Sequence, residues 1–219
     1  MSEERAPGGI ESLYPFLYAG GGTTVADLLA EVRRSTMDKA AEIVALRQRM
    51  AAEYGDRLAA CAAAVAGSFA AGGRMFTFGN GGSRSDAQAV AQLFLDPGPG
   101  ARALPAVALT TDVAVVTALS NDVGFEVVFA RQLAAFARPG DVAVGLSTSG
   151  GSANVLAAFA EARRLGLVTV GFAGYDGGRM ATAGTIDHLF VVPSASVHRI
   201  QEAQTTTYHV LWELTQSCL

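Results

Sequence analysis

Five short apolar segments alternate with segments of helical periodicity from residue 74 onward. The apolar segments are continuous runs, which is typical of strands that are buried on both faces. Strands that alternate with helices form a parallel sheet, because each parallel connection needs a crossover. We therefore predict an α/β fold with a five-stranded parallel sheet flanked by helices. The predicted strands are residues 74–78, 105–109, 141–146, 167–172 and 186–192.

Helical spacing predicts the remaining elements. The helices expected among and after the strands are residues 83–95, 112–119, 125–137, 152–165 and 197–216. Two successive helices, 25–50 and 58–71, are expected before the first strand. The domain assignment is an N-terminal tail, 1–22, and one domain, 23–219, made of N-terminal helices (23–72) and an α/β core (73–219). One interpretation of the aromatic residues in the tail is a contact with a partner protein.

Composition and charge exclude several classes of protein. Half of the residues are apolar and 16% are charged, which excludes a disordered chain. The net charge of −4 and the pI near 5.4 give no basic surface for nucleic acid. No apolar run reaches the roughly 18–20 residues that span a membrane, and the start lacks the pattern of a signal peptide. We expect a cytoplasmic protein that binds neither nucleic acid nor membranes, and the alanine-rich apolar surplus favours an oligomer.

Small polar residues are concentrated in the loops that follow the predicted strands. These loops are residues 79–85, 110–112, 147–152 and 173–178, and they hold most of the glycine, serine, threonine and asparagine of the chain. In open parallel sheets, ligands bind beyond the carboxyl ends of the strands. The loops are therefore where we expect the functional site.

The loop after the third strand has the composition of a phosphate site. Its sequence, Ser147-Thr148-Ser149-Gly150-Gly151-Ser152, leads directly into a helix. A helix N-terminus offers unpaired amides and a partial positive charge, so that it binds a phosphate without a lysine. The alternative is an ordinary capped turn, for which one serine would suffice. Four hydroxyls exceed that requirement, and we predict phosphate binding.

The loop after the first strand, Gly79-Asn80-Gly81-Gly82-Ser83, is glycine-rich as well. It is not a dinucleotide fingerprint, because Arg84 stands where glycine or alanine is needed. The chain also lacks the P-loop pattern of nucleotide-hydrolysing enzymes. We therefore expect Asn80 and Ser83 to donate hydrogen bonds to substrate oxygens.

Together these segments resemble the sugar isomerase (SIS) family and, within it, the phosphoheptose isomerases. The resemblance runs from about residue 40 to the C-terminus. It implies a flavodoxin-like sheet, a homotetramer or homodimer with the N-terminal helices in the interface, and active sites at subunit boundaries. The motifs that carry it are Gly79-Asn80-Gly81-Gly82-Ser83, Asp86-Ala87-Gln88, Leu109-Thr110-Thr111-Asp112, Asn121-Asp122, Gly124-Phe125-Glu126, Arg138-Pro139-Gly140-Asp141-Val142, Ser147-Thr148-Ser149-Gly150, Asp176-Gly177-Gly178 and Arg199-Ile200-Gln201-Glu202.

The resemblance also implies roles for individual residues. The family isomerases interconvert sedoheptulose 7-phosphate and a heptose 7-phosphate. The implied phosphate contacts are Ser147, Thr148, Ser149 and Ser152, and the substrate-binding residues carried over with them are Asn80, Gly81, Gly82, Ser83 and Asp112. The family holds zinc on a His and a Glu of the helix after the first loop and on a Gln and a His of the last helix. That Glu also moves the proton between two sugar carbons.

This chain keeps only half of the implied catalytic set. Gln201 and His209 match the last helix, but Ala89 and Leu93 replace the His and the Glu. Neither replacement can bind a metal or carry a proton, so we expect no metal site, and zinc only if Gln201 and His209 gain other ligands. Asp86 lies on another turn of the helix and is not expected to substitute for the Glu. The expected function is sugar-phosphate binding, with isomerisation weak or lost and a sensing or assembly role.

The alternative is an active ketose–aldose phosphate isomerase. In that case His209 is the base, and Gln201 is the other candidate catalytic residue.

Overall fold

The computed structural model of the protein describes residues 25–219. The predicted tail, residues 1–22, and the expected contact of its aromatic residues with a partner lie outside the described residues. The chain divides into two compact units, 1–41 and 42–219. Of the first unit, only the helical segment from Val25 is described.

The second unit contains the sheet and its covering helices. The strands are β1 (Met75–Gly79), β2 (Ala106–Ala108), β3 (Val142–Ser147), β4 (Val168–Gly174) and β5 (His188–Val192). The α-helices are α1 (Val25–Ala70), α2 (Gly82–Leu95), α3 (Val113–Asp122), α4 (Val128–Phe136), α5 (Ala153–Leu165) and α6 (Val197–Ser217). Short 3₁₀ helices occupy Phe125–Val127, immediately before α4, and Gly178–Ala181.

The N-terminal helical region is one continuous helix rather than the two that we predicted. α1 runs through Gly55, which is exposed to solvent. A glycine inside a helix costs about 1 kcal/mol relative to alanine. Burial of Met50, Tyr54, Leu58 and Cys61 on one face of α1 outweighs that cost, because these residues repeat every three to four positions across the glycine.

The sheet is entirely parallel, with the strand order β2-β1-β3-β4-β5. The predicted five-stranded parallel sheet and its helical flanks are therefore confirmed. Chain order reverses direction at β1, so that β1 and β3 are neighbours although β2 lies between them in sequence. This is the switch point at which ligands bind in flavodoxin-like sheets.

Each face of the sheet packs on its own set of helices. α2, α6 and the C-terminal part of α1 cover one face, where Met75 and Val144 point into the larger apolar cluster. α4 and α5 cover the other face, where Phe76 and Ala143 point. Alternate strand residues thus reach opposite cores, which is why the strands are apolar throughout. As a result, α2 and α5 follow adjacent strands but leave on opposite faces, and a crevice opens between their N-termini.

Among the described residues, no helix combines the length and the hydropathy needed to cross a membrane.

Candidate functional site

Three serine hydroxyls meet at the carboxyl end of β3. Ser147 Oγ lies 3.0 Å from Ser152 Oγ and 3.5 Å from Ser149 Oγ. Ser147 is only 3% exposed, whereas Ser149 is exposed to solvent and Ser152 is half-buried. The cluster therefore extends from the end of the strand to the surface of the crevice. Thr148 is half-buried beside it.

The hydroxyl of Ser152 does not cap α5, although Ser152 is the N-cap residue. It is directed instead at Ser147. The first backbone bond of the helix runs from Leu156 N to Ser152 O, 3.0 Å. The amides that precede Leu156 have no acceptor within the helix and face the crevice with the positive end of the helix dipole. Ser152 therefore does not act as the capping serine of an ordinary turn, whereas Ser149 Oγ accepts from Gly151 N at 3.2 Å.

Residues 147–152 form the loop after β3, called here the hydroxyl loop. Glycines allow this loop to pack closely against the loop after β4. Gly150 has a φ of 61°, and a Cβ at this position would overlap the carbonyl oxygen of Gly177. A Cβ at Gly178 would likewise overlap the carbonyl oxygen of Ser149. Met180 N donates to Gly150 O at 2.9 Å and fastens the two loops together. The 173–178 loop, predicted as part of the site, thus packs directly against the hydroxyl loop.

Asn80 connects the loop after β1 to the first turn of α5. Asn80 Nδ2 donates to Asn154 Oδ1 at 2.8 Å, and Asn154 Nδ2 donates back to Asn80 Oδ1 at 3.0 Å. This reciprocal amide pair links Asn80 to the first turn of α5; its predicted hydrogen bond to a substrate oxygen stays a prediction. Asn154 itself was missed, although its position in the first turn after the loop marked it as a residue facing the crevice.

The N-terminus of α2 is open in the same way as that of α5. Its N-cap is Gly81, with a φ of 55°, and no side chain caps the helix. Gly82 is the first residue of α2 and lies against the amide of Gln201, so that a Cβ at position 82 would collide with that side chain. Ser83 follows and is buried. The structure therefore brings Asn80, Gly81, Gly82, Ser83 and Gln201 together at one side of the crevice.

Asp86 is the partner of Gln201. Gln201 Nε2 donates to Asp86 Oδ2 at 2.9 Å, which joins α2 to α6. Asp86 is half-buried, and this burial raises the pKa of its carboxyl, an effect that the hydrogen bond from Gln201 partly opposes. The charge of Asp86 in turn contributes to the raised pKa of Tyr208 on α6, whose main cause is burial.

His209 lies away from this group, on the exposed surface of α6. Its Nδ1 is 2.8 Å from Thr205 O, and its ring stacks on Tyr208 with centroids 5.0 Å apart. Eight residues separate it from Gln201, which corresponds to about 12 Å along the helix. The structure therefore does not place His209 beside Gln201. The contacts of its ring are with Thr205 and Tyr208, on its own helix.

Ala89 and Leu93 follow on α2. Ala89 is exposed, whereas Leu93 is half-buried and packs against the larger core. The donor set for the zinc that the resemblance implies is thus reduced to Gln201, whose amide nitrogen is turned to Asp86, and His209. Among residues 25–219, no three His, Cys, Asp or Glu side chains are placed to hold a metal ion. The side chains present do not fit zinc at this location.

Asp112 lies after β2 and caps α3. Its carboxylate accepts from Val115 N at 3.0 Å. This bond gives Asp112 a structural role that the sequence analysis did not assign, and its predicted contact with the substrate stays a prediction. Beside it, a cavity of about 240 Å³ is lined by residues that include Asn80, Arg84 and Thr110.

The order of these loops matches a known family. Residues 39–174 match the family model described as SIS domain. The chain belongs to the SIS domain family.

Curated relatives of this SIS domain chain include phosphoheptose isomerases. One from Paramagnetospirillum magneticum is 46% identical over 178 residues, which are 76% of this chain and 92% of the relative. Another, from a Roseiflexus species, is 42% identical over 187 residues, which are 85% of this chain and 94% of the relative. The resemblance predicted from the motifs is therefore confirmed.

Solved structures agree with the sequence comparison. The phosphoheptose isomerase of Neisseria gonorrhoeae superposes with a TM-score of 0.78 and 34% identity, covering 85% of this chain and 99% of that chain. The phosphoheptose isomerase of Francisella tularensis superposes with a TM-score of 0.73 and 30% identity, covering 89% of this chain and 100% of that chain. The SIS fold of the described residues is thus the fold of these isomerases.

Proposed function

We propose that this protein binds a sugar phosphate in the crevice between β1 and β3. The phosphoryl group lies against Ser147, Ser149 and Ser152 and the N-terminus of α5. The sugar extends past Asn80 and the start of α2 towards Gln201. The observation that carries the proposal is the hydroxyl of Ser152, which joins the serine cluster and leaves the amides of α5 uncapped.

The proposed binding uses dipoles rather than a cation. The open amides at the N-termini of α2 and α5 both point into the crevice, and each favours a negative charge. The serine hydroxyls bond one another, and each can rotate to donate to a phosphoryl oxygen. The amide pair Asn80–Asn154 fixes the loop after β1 relative to α5, so that the site is formed before the ligand arrives.

The substrate class follows from the relatives. Those that cover most of this chain are named phosphoheptose isomerases, so sedoheptulose 7-phosphate and the corresponding aldose phosphate are the first ligands to test. Gln201 is a candidate contact for the sugar end, because its amide already lies against Gly82 at the edge of the crevice.

Turnover by the catalytic set of the family is expected to be weak or lost. Leu93 cannot move a proton, and the loss of a positioned acid or base typically costs about 10²–10⁴-fold in rate. We also propose that no zinc binds on α2 and α6, because Ala89 and Leu93 supply no donor. A protein of this kind would sense or sequester a sugar phosphate, or assemble with a partner in response to it.

The second candidate is an active ketose–aldose phosphate isomerase. The names and the identity of the relatives favour it. The contact of His209 Nδ1 with Thr205 O also favours it, because a proton on Nδ1 leaves Nε2 free to act as a base. In that case His209→Ala abolishes interconversion of sedoheptulose 7-phosphate, followed by NMR. Unchanged turnover in this variant contradicts the role of His209.

Two further parts of the proposal concern the molecule in the cell. We propose a homotetramer, or a homodimer, in which the N-terminal part of α1 lies in the interface. We also propose a cytoplasmic location, which fractionation of cells expressing the native protein would test.

Calorimetric titration tests the proposed function. The wild-type protein should release or absorb heat with sedoheptulose 7-phosphate but not with sedoheptulose. A hydrogen bond to a charged group contributes about 1.5–3 kcal/mol, so Ser147→Ala and Ser152→Ala should each weaken binding by about 10-fold or more.

The matched control is Ser217→Ala, which removes an exposed hydroxyl that bonds only Glu213 O in its own helix. Its affinity should equal that of the wild-type protein. Absence of binding by the wild-type protein, or equal binding by the Ser147 and Ser152 variants, contradicts the proposal.

A further inference from the structure

We propose that Asp86 is the proton-transferring residue of this chain. It would move a proton between two adjacent carbons of the bound sugar phosphate, a step for which Leu93 has no group. The inference rests on the proposed sugar-phosphate site and goes beyond it, since binding alone does not require a base.

The position of Asp86 on α2 is the first support. Residues 86, 89 and 93 are spaced i, i+3 and i+7, so Asp86 lies on the same helix face as Ala89 and Leu93. It is one turn closer to the loop after β1 than Ala89. Gly82 lies one turn before Asp86 on that face and packs against the same Gln201 amide that bonds Asp86. The carboxyl therefore lies at the sugar end of the proposed site.

The hydrogen bond to Gln201 is the second support. Gln201 Nε2 holds Asp86 Oδ2 at 2.9 Å, which restrains the carboxylate and leaves Oδ1 for another proton. Because Nε2 is engaged, Gln201 Oε1 is the atom that remains to accept from a sugar hydroxyl. Gly82 makes room for this arrangement, since any larger residue would displace the amide.

The third support is the absence of a cation. Among residues 25–219, no Lys, Arg or His forms an ion pair with Asp86, whereas Asp141, buried at the base of β3, is paired with Arg74. A half-buried carboxylate without a cation is costly to maintain and is typical of functional sites.

The step balances without an oxidant or a metal. From the ketose phosphate, Asp86 removes a proton from C1; the C–H electron pair forms a C1–C2 double bond, and the C2 carbonyl oxygen takes a proton from water. The resulting enediol then gives its C1 hydroxyl proton to the hydroxide left by that water as the C1 carbonyl forms. The double-bond electrons take the proton back from Asp86 at C2. Carboxylate and water are regenerated, and the product is the aldose phosphate.

Proton exchange in deuterium oxide tests the inference. With sedoheptulose 7-phosphate, the wild-type protein should replace the C1 proton with deuterium, as followed by ¹H NMR. Asp86→Asn keeps an oxygen that accepts from Gln201 Nε2 but is not a base. It should slow exchange by about 10²–10⁴-fold while calorimetric affinity is unchanged. Asp86→Glu, which keeps a carboxyl, should exchange faster than Asp86→Asn.

The matched control is Asp96→Asn. Asp96 lies at the end of the same helix and also accepts from a glutamine, Gln92 Nε2, at 3.3 Å, but it is exposed. Its exchange rate should equal that of the wild-type protein. If Asp86 only orients Gln201, Asp86→Asn will exchange at the wild-type rate, which overturns the inference. If the wild-type protein binds sedoheptulose 7-phosphate but does not exchange its C1 proton, the role of Asp86 is overturned and the proposed binding function stands. If the wild-type protein does not bind this sugar phosphate, both are overturned.

Discussion

Asp86 and Asp96 lie on one helix and each accepts a hydrogen bond from a glutamine, but only Asp86 is withdrawn from solvent. The difference arises from α6, which covers the first turns of α2 and brings Gln201 and Tyr208 to Asp86. Burial makes the ionised form of Asp86 less stable in the folded protein than in the unfolded chain. Stability should therefore depend on pH through this residue.

The sign of that dependence follows from the raised pKa of Asp86. Above about pH 4, the ordinary value for Asp, the unfolded chain loses this proton while the folded protein retains it. The contribution of Asp86 to the free energy of unfolding is therefore greatest below pH 4 and is lost as pH rises through the raised value. Asp86→Asn should gain stability relative to the wild-type protein as pH rises from 4 to 7, measured by urea unfolding.

Asp96→Asn should show no such trend relative to the wild-type protein. A constant difference between the Asp86→Asn and wild-type proteins across this range would show that Asp86 is not desolvated.

At this scale the sequence predicted the hydroxyl loop but not the partner of Gln201. Ser147 and Ser152 are five residues apart, and local composition was enough to place them at a helix start. Asp86 and Gln201 are 115 residues apart. Their contact depends on the register of α2 against α6, which the periodicity of neither helix reveals. The sequence alone therefore predicts no role for Asp86.

The helices differ in how their N-termini are completed. Asp112 caps α3 and Ser196 caps α6, each by accepting a backbone N–H. α2 and α5, which begin at the crevice, have no side-chain cap. A helix without an N-terminal cap is about 1 kcal/mol less stable than the same helix with one. The proposed phosphoryl group would occupy these open amides in place of a cap.

This contrast predicts effects of different size on stability for two substitutions. Asp112→Ala should lower the free energy of unfolding by about 0.5–2 kcal/mol, because it removes a cap. Ser152→Ala should change the stability of the ligand-free protein much less, because its hydroxyl bonds Ser147 rather than the helix. With saturating sedoheptulose 7-phosphate, the wild-type protein should gain more thermal stability than Ser152→Ala.

Both measurements can be made by thermal and urea unfolding. A loss of ligand-free stability in Ser152→Ala equal to that in Asp112→Ala would show that Ser152 acts as an ordinary cap.

Element boundaries were predicted with uneven success. The strands lie within one or two residues of their predicted positions at most ends, because continuous apolar runs stop at glycine or proline. The break predicted before Leu58 was wrong. The first predicted helix ended at Met50, the last apolar residue of its period, but the buried stripe of α1 continues across Gly55.

At the scale of the whole molecule, the N-terminal part of α1 carries several large apolar side chains that are exposed to solvent. The large ones in the first unit are Val25, Leu28, Leu29, Val32 and Met37. Apolar residues grouped on one helix segment are typical of an interaction surface. They support the proposed assembly of identical chains through α1.

Light scattering in solution tests this assembly. The wild-type protein should have the mass of four chains, or of two. Leu28→Ser combined with Leu29→Ser should lower that mass, because the substitutions remove apolar area from the interface. Arg33→Ser, on the same segment, is the control and should keep the wild-type mass. A wild-type protein with the mass of one chain contradicts the assembly.

The fold class followed from the alternation of strands and helices, whereas the strand order did not. A pattern of βα units requires parallel strands but allows several orders, and the flavodoxin-like order came from the family resemblance. The location of the site at the β1–β3 switch point depends on that order. The hydroxyl loop and the Asn80 loop are adjacent only because β3 pairs with β1.

The most direct test of the phosphate site is a crystal structure of the protein with sedoheptulose 7-phosphate. The phosphoryl oxygens should lie within about 3 Å of the hydroxyls of Ser147, Ser149 and Ser152 and of the first amides of α5. A phosphoryl group bound elsewhere, with no contact to these serine hydroxyls, would contradict the account.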